Sequence, residues 1–220
     1  MTGKKAAVLN FDRELLSAVG EGKFGSGEGR RLLFGPKGEN YVVGFERGAA
    51  LFNLDAKAKG VFKTSPPSKL HQMRFVTVGE KSFLAISTED GRIAFFNPEA
   101  DGQGLLQYPM VAQLGGRAAG ITGRAKDFEI LPIDGILVVV TASSDGALRI
   151  WSLPEAELSK ASDSKQVGNL VATHETGNRI TCLSAFVLDG KVNNSTEPEE
   201  VVGAEEEEDE DSDEASDSDE

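Results

Sequence analysis

The chain has 220 residues, with one cysteine, one tryptophan, 25 glycines and a formal net charge of −13. A single cysteine excludes a disulfide framework and a multi-cysteine zinc site, and it points to an intracellular protein. The longest aliphatic run, Ile136 to Val140, is far too short to cross a bilayer as a helix, and MTGKKAAVLNFDRELL has the make-up of neither a signal peptide nor a transit peptide.

Short apolar runs separated by Gly, Pro, Asp and Asn predict many short strands joined by tight turns. In chain order the predicted strands are Ala6–Phe11, Arg31–Phe34, Tyr41–Phe45, Ala49–Leu54, Gly60–Lys63, Met73–Val78, Phe83–Ser87, Ile93–Asn97, Ile136–Ala142, Leu148–Leu153, Asn169–Ala172 and Ile180–Val187. A helix can be tried on Asp12–Val19, but that stretch is short and runs into glycines. Cys182 falls inside the last predicted strand, where it reads as a small buried residue rather than a nucleophile.

Three segments repeat one pattern: YVVGFERGAALFNL, FLAISTEDGRIAFFN and LVVVTASSDGALRIWSL. Each has an apolar strand, a polar turn ending in Gly48, Gly91 or Gly146, a second strand, and then Phe52, Phe96 or Trp151. Asp90 and Asp145 precede the second and third glycines; Asp-Gly tolerates the positive φ that a tight hairpin needs. The run LVVVTA is apolar at successive positions, which predicts burial on both faces. A repeat of four short strands closed by an aromatic predicts an all-β chain, a β-propeller of the WD40 kind. The stretch between Asp101 and Asp127 reads as an insertion in that repeat.

The charge is unevenly spread. Residues 197–220 hold fifteen of the 36 acidic residues and no Lys or Arg, which leaves the body at +2. A near-neutral body with an acidic tail gives little support to direct nucleic acid binding. From about residue 192 aromatics vanish and like charges cluster, which predicts a disordered tail on a body of residues 1–191. Its run Glu205, Glu206, Glu207, Glu208, Asp209, Glu210 and Asp211 reads either as a solvating appendage or as a clamp for basic partners. Ser216 lies three residues before Asp219, a context that acidophilic kinases favour.

The sequence offers no complete catalytic, metal or cofactor constellation. Gly20-Glu21-Gly22-Lys23-Phe24-Gly25 matches the glycine loop of protein kinases, but no H-R-D or D-F-G segment accompanies it, so it reads as a loop between blades. Walker and nucleophile-elbow patterns are absent.

TASSDGALRIWSL resembles the end of a WD40 repeat, with Trp151 in the tryptophan slot and Ser152 in place of the usual aspartate. FGPKGENYVVGF together with THETGNRITCLSAF resembles more particularly the PAK-interacting-protein-like family of nucleolar factors for large ribosomal subunit assembly. The resemblance implies a non-enzymatic scaffold in the nucleus and nucleolus that binds proteins of the large-subunit precursor, chiefly basic ribosomal or ribosome-like proteins. Animal members of the family are described as restraining p21-activated kinase, so a kinase-binding regulator is the alternative. The resemblance also implies three full blades, ending near Leu54–Lys63, Asn97–Leu114 and Trp151–Ala172, with Asn178–Phe186 opening a further one. By that implication the chain is the C-terminal part of a longer propeller. In the WD40 His, Ser or Thr, Asp and Trp network, Asp90 and Asp145 fit the Asp position and His174 fits the His position, with His71 a weaker fit. No His precedes the blade of Trp151, and Arg47 stands at the first blade's Asp position, so a full network is not expected in any blade.

Overall fold

The structure, a computed structural model, describes residues 28–99 and 106–188. Ala6–Phe11, Asp12–Val19, the Gly20–Gly25 loop, the acidic run and Ser216 lie outside the described residues.

The described chain is all-β apart from one short helix and a 3-10 turn, and it forms three sheets. The first blade is an antiparallel meander of β1 (Arg31–Phe34), β2 (Asn40–Phe45), β3 (Gly48–Asn53) and β4 (Ala58–Phe62). The second is built from β5 (Leu70–Val78), β6 (Lys81–Thr88), β7 (Arg92–Phe96) and, after a detour, β9 (Met110–Gly115). The third comprises β10 (Ala125–Ile133), β11 (Ile136–Ser143), β12 (Ala147–Pro154) and β14 (Asn169–Glu175). The helix α1 (Glu155–Ser159) follows β12. The sheets succeed one another without closing into a ring, which makes the fold a partial β-propeller.

Register explains the uneven spacing of the repeat. Phe45 pairs with Gly48 across a two-residue turn, whereas Ser87 pairs with Ile93 and Ala142 with Leu148 in hairpins whose turns are one residue longer. With that residue allowed for, Phe52, Phe96 and Trp151 occupy one equivalent site, facing Tyr41, Leu84 and Val139. All three blades also carry the same bulge between their third and fourth strands, at Leu51/Phe52, Phe95/Phe96 and Ile150/Trp151. A bulge adds local twist, and its recurrence gives each outer strand the same bend.

Neighbouring blades are tied by a second repeated device. β8 (Leu106–Tyr108), from the second blade's detour, adds parallel to the outer strand β4. β13 (Lys165–Gln166), from the third blade, adds in the same way to β9. Each outer edge that is covered in this manner has its backbone groups paired rather than open. The region read as an insertion therefore supplies the tie β8, the outer strand β9 and the start of β10.

The core lies between the blades. Phe62 meets Phe96 edge-on at 5.5 Å and stacks on Tyr108 at 4.8 Å, joining the first blade to the second. Phe83, Phe95, Phe128, Leu137 and Trp151 fill the cluster between the second and third. Full burial of such side chains stabilises by roughly 1.5–3 kcal/mol each.

Three expectations are corrected. Ile180–Val187 forms no strand: the segment is irregular, and a bond from the Leu183 N–H to Asp127 Oδ2 at 3.0 Å ties it to a side chain rather than to a neighbouring backbone ladder. Cys182 is accordingly exposed, not buried. LVVVTA alternates instead of being buried throughout, with Val138 and Val140 half-buried, because only one face of β11 meets the adjacent blade's core.

Candidate functional site

The turns between second and third strands, and the residues that enter each first strand, come together at one end of the blades. Their backbone is held by repeated bonds. The Glu89 N–H donates to Lys69 O at 2.8 Å, and the Ser144 N–H donates to Arg124 O at 3.0 Å. Gly91 (φ 82°) and Gly146 (φ 90°) close the longer turns in the left-handed region. A Cβ would lie 2.6 Å from Gly123 O at the former and 2.8 Å from Asn178 O at the latter, so both sites demand glycine.

Side chains form a ladder across the seams. The first turn residue of one blade pairs with the basic residue before the first strand of the next. Lys69 Nζ meets Glu46 Oε1 at 2.9 Å, and Arg124 Nε meets Glu89 Oε1 at 2.7 Å. Lys69 and, at greater range, Arg30 and Arg47 hold the Glu46 carboxyl below its ordinary value. Glu89 also accepts from His71 Nε2 at 2.6 Å, and Lys126 Nζ lies 3.4 Å from the same ring nitrogen. Burial lowers the His71 pKa, against the pull of Glu89 and with the help of Lys126 and Arg124. Because a carboxylate accepts, the short bond to Glu89 places a hydrogen on Nε2. Burial lowers the Lys126 pKa, against the attraction of Glu89 and with the help of the nearby Arg124 and Arg179. The third blade breaks the series: Ser144 stands where Glu46 and Glu89 stand, its Oγ accepting from the Arg124 N–H at 3.1 Å.

The aspartates of these turns are spent inside the blades. Asp90 Oδ2 takes Arg92 Nη2 at 2.7 Å, and burial, which alone would raise its pKa, is outweighed by Arg92 and the Thr88 hydroxyl. Arg92 also donates to Ser65 O, Pro66 O and Gln113 Oε1, pinning the linker between blades. Asp145 Oδ2 takes Arg149 Nη2 at 3.0 Å; burial again opposes, and Arg149 with the Ala147 N–H prevails, so its pKa is lowered too.

Phe52 stacks on Tyr41 at 5.4 Å. Trp151 donates from Nε1 to Thr141 Oγ1 at 3.2 Å. His174 sits exposed on β14 opposite Leu148, so the tryptophan's hydrogen bond goes to a threonine of β11, while His71 bonds to Glu89 on the turn face. Sequence reading missed the ladder because its partners are separated by 23 and 35 residues, Glu46 to Lys69 and Glu89 to Arg124. The signal was nonetheless there, in Arg30, Lys69 and Arg124 directly preceding first strands. Among the described residues no group of three or more His, Cys, Asp or Glu side chains is placed to hold a metal, and no helix is long and apolar enough to cross a membrane.

Three meanders with equivalent turns, bulges and closing aromatics define a WD-repeat type of propeller protein, of which three blades are described here. No protein-family model matches the chain. A p21-activated protein kinase-interacting protein 1-like protein of Gallus gallus is 30% identical over 178 residues, covering 77% of this chain and 42% of the relative. The like-named protein of Xenopus laevis is 24% identical, covering 70% and 37%. The p21-activated protein kinase-interacting protein 1 of Homo sapiens is 26% identical, covering 69% and 33%. The chain is a distant homologue of this WD40 family, and it spans less than half the length of these relatives.

Proposed function

We propose that the chain is a non-enzymatic WD-repeat scaffold of ribosome biogenesis, holding proteins of the large-subunit precursor in the nucleolus. The reading is supported by the resemblance of FGPKGENYVVGF and THETGNRITCLSAF to nucleolar large-subunit assembly factors, together with the homology over 77% of the chain to the Gallus gallus protein. Rigid blades that present turns in fixed relation suit protein binding. The acidic run Glu205–Asp211 adds a second surface, one that attracts basic ribosomal proteins at low salt, and phosphorylation of Ser216 would strengthen it by about −1.5 to −2 charges. Depletion of the protein is expected to lower mature large subunits selectively.

A second reading is favoured by the relatives' names, which record interaction with a p21-activated kinase. In it the chain restrains such a kinase. Unchanged subunit ratios with altered kinase signalling after depletion would support this reading over the first.

A further inference from the structure

The turn face is richer in cations than its ladder consumes. Arg30, Arg47, Lys69, Arg124, Lys126 and Arg179 gather around only two turn carboxylates, Glu46 and Glu89. Asp90 and Asp145, on the same turns, are already committed to Arg92 and Arg149. Each of the first two seams has its own anion, but at the third position Ser144 supplies a hydroxyl instead of a carboxylate. The chain that follows β14 folds back over this turn: the Thr176 N–H donates to Gly146 O at 2.9 Å, and Asn178 abuts Gly146. The next residue, Arg179, is thereby brought within electrostatic reach of Lys126. Among the described residues neither Lys126 nor Arg179 has a carboxylate within ion-pair distance.

We infer that the Ser144 turn, with Lys126 and Arg179, is a docking site for an acidic segment of a protein partner, whose Asp or Glu side chain supplies the carboxylate that the first two seams carry themselves. The inference rests on the reading of the chain as a protein-binding scaffold, but not on which assembly it serves. A short acidic peptide fits better than a nucleic acid. It needs to present only a few carboxylates to one turn, whereas a long polyanion would also meet the fifteen acidic residues of the tail.

The test is fluorescence anisotropy of a labelled Gly-Ser peptide carrying three consecutive acidic residues, Asp-Glu-Asp, titrated with the full chain at low and at moderate salt. Wild type is expected to bind, and binding should weaken as salt rises. Lys126→Glu/Arg179→Glu should weaken binding about tenfold or more, as reversal of a recognition charge does. Ser144→Glu, which fills the missing rung from within, should weaken it about fivefold while leaving the circular dichroism melt unchanged or higher. Lys81→Glu, at the opposite end of the second blade, should bind as wild type. Equal affinity of all variants overturns the inference, as does an equal loss in Lys81→Glu. So does an RNA oligomer that displaces the peptide at lower concentration than unlabelled peptide does. None of these outcomes depends on subunit assembly, so failure here leaves the ribosomal reading standing.

Discussion

Glu89 Oε1 and Arg124 Nε meet at 2.7 Å across the seam between the second and third blades, and the Glu46–Lys69 pair repeats the relation one seam earlier at 2.9 Å. Both pairs are substantially solvent-accessible, so neither adds much to the stability of the fold. Arg124 also lies close enough to Lys126 to lower its pKa, so it belongs to the same cationic patch. Arg124→Gln is therefore expected to shift the chemical-denaturation midpoint only slightly while measurably weakening acidic-peptide binding.

Arg92 carries a different load. Its guanidinium is buried and bonded to Asp90, Ser65 O, Pro66 O and Gln113. Arg92→Leu strands the Asp90 charge and two carbonyls, and a loss of about 3–5 kcal/mol is expected by urea unfolding. A loss below about 1 kcal/mol would show that water replaces these partners freely.

Trp151 is the only tryptophan in the chain and is buried between the second and third blades. Native emission should be blue-shifted and should move red in one step with unfolding of the third blade. Trp151→Phe forfeits the bond to Thr141 and some contact area, and should cost about 1–2 kcal/mol in denaturant titration.

Stability should fall in two stages on acidification. Burial holds the His71 pKa below its ordinary value, so the unfolded chain takes up a proton that the folded chain resists, and the loss begins as pH drops below about 6.5. Asp90 and Asp145 are held down by their arginines against burial. The stability they add is complete above about pH 4 and disappears as pH falls through their lowered values. In urea midpoints measured against pH, His71→Gln should remove the first stage and leave the second.

β14 runs exposed along its length, with Val171 at 64% and Leu170 at 45%. The corresponding strands β4 and β9 are covered by β8 and β13, and no described strand covers the outer edge of β14. Concentration-dependent association is expected in sedimentation velocity, and Val171→Lys should reduce it.

The hairpins were legible because Asp-Gly and flanking apolar runs are local signals: Gly91 and Gly146 adopt the positive φ that their position implies. Phe52, Phe96 and Trp151 were legible as equivalents despite the shorter first turn. β10 was hidden because it buries Asp127 and carries Pro132, both of which read as loop residues. Asp127 is tolerated there because Oδ1 accepts from the Phe128 N–H and Oδ2 from the Leu183 N–H. Ile180–Val187 had the composition of a strand, yet a strand also needs a ladder partner, which composition does not record. The parallel ties and the charge ladder arise from pairings across tens of residues, and no short window of the sequence contains them.

The central claim, a scaffold role on the large-subunit precursor, is tested most directly by gradient sedimentation of the tagged protein from cell extract at low salt. Co-migration with large-subunit precursors, lost when those precursors are depleted, is the result predicted here. Migration at the top of the gradient with a p21-activated kinase, indifferent to precursor depletion, would contradict it.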